Sequence, residues 1–170
     1  MSIELNTLEL EMRKEDNVDI IKSTIQDLIQ RGFNVNKTYL EDCGPLLEHA
    51  LLESQNEIAK YAIDECDAVI TSNALLCAIN MRNHEMVQYL LQNRNKCIIN
   101  NECIQSILEY EDIETLKMCI DLAGCFTMEK KGCVLCYSKK PKIKVLYVPS
   151  NYSGVFSLHS NLNHLLQKIN

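Results

Sequence analysis

The run Leu75-Leu76-Cys77-Ala78-Ile79-Asn80-Met81-Arg82-Asn83-His84-Glu85-Met86-Val87-Gln88-Tyr89-Leu90-Leu91 decides the fold of this chain. Apolar residues stand at Leu75 and Ala78, a polar turn interrupts at Arg82 and Asn83, and the apolar triplet Tyr89 to Leu91 begins eleven residues beyond Ala78. This spacing predicts two short amphipathic helices joined by a tight turn. The same register returns 28 to 29 residues away on either side. Leu47 and Ala50 lead to Tyr61-Ala62-Ile63, and Ile104 and Ile107 lead to Met118-Cys119-Ile120. A helix pair of this size cannot bury its apolar face alone, so the copies must stack. The prediction is an all-α helical solenoid whose long outer surface suits another macromolecule.

Around the central copy, the helix pairs are expected at Leu46 to Leu52 with Asn56 to Asp64, Ser72 to Asn80 with Asn83 to Gln92, and Asn101 to Leu108 with Asp112 to Ala123. Ser72, Asn83, Asn101 and Asp112 stand where a side-chain oxygen is wanted to cap exposed backbone N–H groups. Upstream, Asp19 to Gln30 reads as a helix with Ile21, Ile25, Leu28 and Ile29 at helical spacing, and Gly32 occupies the place of a left-handed C-terminal cap. Downstream of Gly124 the register stops. Ile143 to Val148 has the composition of a strand, and Ser160 opens a stretch with Leu162, Leu165, Leu166 and Ile169 along one side, a candidate helix to close the array.

These residues carry a family resemblance. Gly32-Phe33-Asn34-Val35-Asn36 resembles the Gly-Ala-Asp-x-Asn finger start of ankyrin-repeat proteins. Ala78 to Leu91 resembles that family's Ala-x-x-x-Gly-His-x-Glu-Ile-Val-x-x-Leu-Leu run, with Arg82 and Asn83 in place of Gly-His. The resemblance covers about Asp19 to Gly124. The family's Thr-Pro-Leu-His is absent, its columns being filled by Pro45 to Glu48, Asn73 to Leu76 and Glu102 to Gln105. The step falls short of the family's usual length of about 33, which implies trimmed fingers. Divergent repeats of this kind resemble those of large DNA viruses, and the richness in Asn, Ile and Lys fits an AT-rich genome.

What the resemblance implies is a non-catalytic protein-protein interaction module, an adaptor whose use extends to virus-host interaction. Partner contacts are then expected at Tyr39, Glu41 and Asp42 on the longest finger, and at Met81 and Arg82 beside the second turn. Residues 1 to 18 are expected as an N-terminal capping segment, 19 to 124 as the repeats, and 125 to 170 as a small basic C-terminal element.

The composition, 46 % hydrophobic and 24 % charged over 170 residues, belongs to a soluble globular protein. Glu4, Glu9, Glu11, Glu15 and Asp16 exclude the basic and apolar regions of a secretory signal. No run is long enough to cross a bilayer, and nine Cys cannot all pair. An intracellular, cytoplasmic protein with buried reduced thiols is expected, in the host cytoplasm if viral. Charge divides unevenly: residues 1–123 hold 10 Lys plus Arg against 22 Asp plus Glu, whereas residues 124–170 hold 7 Lys against one Glu. The acidic part predicts a basic protein partner.

Chemistry has few footholds. Cys133-x2-Cys136 with His159 and His164 is a candidate zinc set, because two thiolates and two imidazoles satisfy a tetrahedral ion. The 22 residues between Cys136 and His159 are too many for the common finger, and the competing reading makes both cysteines part of a small apolar patch. Lys130 to Lys144 reads first as a solvated loop, next as a tail docked on the acidic repeats, and only third as a nucleic-acid contact. A zinc-binding or nucleic-acid-binding role for this segment is the alternative to protein binding. His49 and His84 are expected at the solvent edge. No phosphate loop, Ser-His-Asp ordering or His-Glu-x-x-His is present, so neither an enzyme nor a resident cofactor is expected.

Overall fold

The computed structural model describes residues 8, 17–37, 44–93, 99–123, 125–130, 133–138 and 144–147. It divides into two compact units, Met1–Met81 and Arg82–Asn170. The chain is mostly helical, and no helix among the described residues is long and apolar enough to cross a membrane.

In the first unit, α1 (Val18–Gln30) buries Ile21, Ile25 and Leu28, the i, i+4, i+7 stripe of an amphipathic helix. Ile29, expected on that stripe, stands at its solvent edge at 36 % exposed. The helix stops at Gly32, whose φ of +92° is open to glycine without Cβ cost. The Gly32 amide donates to the Ile29 carbonyl at 2.9 Å and the Phe33 amide to Leu28 at 2.9 Å, closing carbonyls that the helix end would leave open. Next come α2 (Leu46–Leu52), α3 (Asn56–Glu65) and α4 (Ser72–Asn80). α2 packs on both α3 and α4, and α1 packs on α3. Ala50, Ala59, Ala62, Ala74 and Ala78 are all fully buried. Side chains that small let short helices approach closely, and the packing then supplies stability that seven to ten residues of helix lack on their own.

In the second unit, α5 (His84–Gln92) packs on α7 (Ile113–Met118) and on the π-helical turn Cys119–Ala123 that continues it. α6 (Asn101–Glu109) packs on α7 and on strand β1 (Cys125–Lys130). Met86, Val87, Leu90, Ile104, Ile107 and Leu116 are fully buried here. β1 pairs antiparallel with β2 (Cys133–Ser138), and β2 with β3 (Lys144–Tyr147), in the order β1-β2-β3 with an irregularity at Val134/Leu135. β3 lies inside the stretch whose composition predicted a strand; β1 and β2 had no such signal. Among the described residues this small sheet is the departure from all-α structure. The expected helix from Ser160 lies outside the described residues.

Left-handed residues mark the turn after the first helix of each copy. Ser54, Arg82 and Glu111 have φ of +57°, +52° and +49°, and they are 28 and 29 residues apart. Gln55 donates its amide to the Ala50 carbonyl at 2.8 Å and Asp112 to Ile107 at 3.0 Å, the same closure seen after α1. A side chain in this conformation costs about 1–2 kcal/mol. Ser54→Gly is therefore expected to raise stability by about 1 kcal/mol, part of the gain being offset by glycine's freedom when unfolded. Thermal denaturation checks this, and an unchanged or lowered melting temperature would show that the serine side chain compensates its own strain.

The caps agree with expectation at two of four places. Asn83 accepts from the Met86 amide and Asp112 from the Thr115 amide. Elsewhere the capping oxygens belong to Thr71 and Asn100, one residue before Ser72 and Asn101. Thr71 and Asn100 have extended backbone, ψ 166° and 178°, the conformation that aims a side-chain oxygen back at the third helical amide.

Candidate functional site

Polar side chains link segments that lie 23 to 33 residues apart in the chain. In the first unit, Asn36 accepts from the Val69 amide at 2.7 Å and donates to the Asp67 carbonyl at 3.1 Å. Its own amide donates to Asn34 Oδ1 at 2.9 Å, a local turn that presents the Asn36 side chain to the later loop. Thr71 Oγ1 donates to Glu48 Oε1 at 2.9 Å while accepting from the Ala74 amide at 3.0 Å. Lys22 on α1 lies 5.5 Å from the centre of the Tyr61 ring on α3, a cation–π contact between those helices.

In the second unit, the turn before α5 is laced to the turn before α7. The Arg82 guanidinium lies 5.0 Å over the Tyr110 ring. His84 Nε2 is 2.9 Å from Asp112 Oδ2 and Nδ1 is 3.0 Å from Glu114 Oε2. Asp112 also accepts from the Thr115 amide at 3.0 Å and from its hydroxyl at 2.8 Å. Burial on its own would raise the Asp112 carboxyl; the Thr115 amide and hydroxyl and the His84 ring together outweigh it and hold the group below the ordinary carboxylate value.

Of the expected contact residues, Met81 is the C-terminal cap of α4 and 44 % exposed, and Arg82 is exposed at its left-handed turn. Tyr39, Glu41 and Asp42 lie outside the described residues. Tyr110, 43 % exposed beneath Arg82, was not singled out from the sequence. Register was the available signal, since Tyr110 occupies the column of Met81 one copy later.

Both histidine expectations are corrected. His49 is fully buried on α2, among Leu46, Leu47, Ala50 and Leu51, because a seven-residue helix packed on two neighbours has little face left for solvent. His84 is half-buried, with its ring nitrogens 2.9 and 3.0 Å from the Asp112 and Glu114 carboxylates, since α5 is packed on α7. Among thiols, Cys103 and Cys119 are fully buried. Burial, with the Glu48 charge adding to it, pushes Cys77 up to about 11. Burial also raises Cys66, against a hydrogen bond from Tyr61. Both therefore remain thiols near neutrality, the unreactive form.

For the zinc candidate, Cys133 and Cys136 fall within β2, while His159 and His164 lie outside the described residues. Among the described residues no group of three or more His, Cys, Asp or Glu is arranged to hold a metal ion. No protein-family model, no curated protein and no solved structure matches the chain.

Proposed function

We propose that this chain is a non-catalytic protein-binding module, a short ankyrin-like solenoid that recognises a basic partner. One observation carries the reading: side chains tie each stretch to the one that follows it, Asn36 to the loop 33 residues on and His84 to the cap 28 residues on. Such nearest-neighbour links are how a repeat array is held together. Helix packing within each unit supports it, because α1 meets α3, α2 meets α4 and α5 meets α7, each skipping one element. Glu48, in the column of the family's histidine, takes up the tie to the next copy through Thr71.

Contact is assigned to Tyr39, Glu41 and Asp42 on the finger and to Met81 and Arg82 at the turn. The acidic excess of residues 1–123 favours a basic partner surface. A host-directed adaptor in a viral setting is one use of such a module.

The test is proximity labelling followed by affinity measurement with the purified partner. Changing Tyr39 and Arg82 together to Ala is expected to weaken binding at least about tenfold, roughly 1.4 kcal/mol, at an unchanged helical spectrum. Association should also slow as salt rises from about 50 to 300 mM. Full affinity in the double variant removes the assigned surface. Turnover of a substrate, or stoichiometric zinc in the purified protein, would shift the function to chemistry or to the C-terminal segment.

A further inference from the structure

We propose that His84 is a charge-dependent pin, holding the start of α5 to the start of α7 through both ring nitrogens when its imidazole is protonated and through one alone when the ring is neutral. The geometry suits the charged form. Each ring nitrogen lies within 3.0 Å of a carboxylate oxygen, Nε2 against Asp112 and Nδ1 against Glu114. An ionised carboxylate only accepts, so both contacts are hydrogen bonds only if both nitrogens carry protons. A neutral ring must turn a lone pair toward one of the two acids.

The dipole of His84's own helix opposes that charge. The residue opens α5, where the positive end of the helix dipole repels a cation. Glu85, next along, is exposed. Of the elements packed on α5, α7 supplies Glu114 and, at its cap, Asp112; Lys117 on α7 and Asp121 on the π-helical turn are exposed. Asp112 carries most of the effect, because its side chain is 8 % exposed whereas that of Glu114 is 64 % exposed and solvent-screened. Thr115 fixes the Asp112 carboxylate through two hydrogen bonds, so the acid is already in place when the ring gains its proton.

The sign follows. The protonated ring makes both hydrogen bonds and the neutral ring one, so the pin stabilises the second unit most at lower pH and weakens as the ring deprotonates on going up.

The experiment compares thermal melts of the full chain with His84→Gln at about pH 5.5 and pH 8.5. The wild-type protein is expected to melt several degrees above the variant at the lower pH, and the gap to narrow at the higher. An equal gap at both pH values overturns the pin. Asp112→Asn, which keeps a capping oxygen, should remove most of the pH-dependent part, and its retention in that variant also overturns the proposal. The unaltered protein supplies a reading that no variant's folding can obscure. Imidazole proton–nitrogen correlation spectra at the lower pH should show both His84 nitrogens protonated, and a neutral tautomer there rejects the idea.

Discussion

Leu90→Ala is expected to destabilise the protein by about 2–5 kcal/mol, seen as a lowered urea midpoint in far-ultraviolet circular dichroism. Leu90 is fully buried on α5, together with Met86, Val87 and Leu91. α5 has only nine residues, and isolated helices shorter than about 12–15 residues are marginal. The helix therefore relies on the face it shares with α7 and the π-helical turn. Removing three carbons leaves a void that neighbours on short helices fill poorly, and the cost includes both lost transfer energy and the cavity. Leu90→Met conserves volume and should cost under about 1.5 kcal/mol. A loss below about 1 kcal/mol in the alanine variant would show that this site is not a close-packed core.

Asp112→Ala is the second large effect, expected at roughly 2–4 kcal/mol. About 1 kcal/mol comes from the lost helix cap, and about 1–3 kcal/mol from groups left without their acceptor. Thr115 is fully buried, so its hydroxyl cannot turn to water when Asp112 is gone. Asp112→Asn preserves the cap and removes the charge, so the difference between the two variants isolates the cap, and the gap between wild type and Asp112→Asn isolates the ionic part. The pH sign is set by the lowered carboxyl. Its contribution is present above the ordinary value of 3.8 and is lost as pH falls through the lower, folded value. The wild-type advantage over Asp112→Asn should therefore persist near pH 5 and shrink on acidification below about pH 4. An advantage unchanged at strongly acid pH would mean that the charge contributes nothing.

Much of the local structure was legible in residue order. The bounds predicted for the helices at Leu46 to Leu52 and Ser72 to Asn80 coincide with α2 and α4. The remaining helices agree within a residue or two, except that the last one ends as a π-helical turn after Met118. Periodicity reports which face a helix buries, and capping residues report where it starts, because both act within a turn or two of backbone. Gly32 stopped α1 as expected for the same reason. The later left-handed positions were harder to see, since Ser54, Arg82 and Glu111 hold a conformation that composition assigns to glycine.

The candidate site was legible only in outline. Register pointed to the turn at Met81 and Arg82, both of them exposed, but not to Tyr110 beneath the guanidinium. Spacing also left His84 facing water, whereas α7 brings Asp112 and Glu114 to its two nitrogens.

By itself, residue order determined a mostly helical chain, the helix pairs and their step, and a strand near residue 145. Tertiary structure alone decided which polar groups meet: Asn36 with Val69, Thr71 with Glu48, and His84 with Asp112. The division has one physical cause. Helix formation and burial are set by neighbours a few positions away, while the partner of a half-buried polar side chain is chosen by packing that joins positions 23 to 33 residues apart.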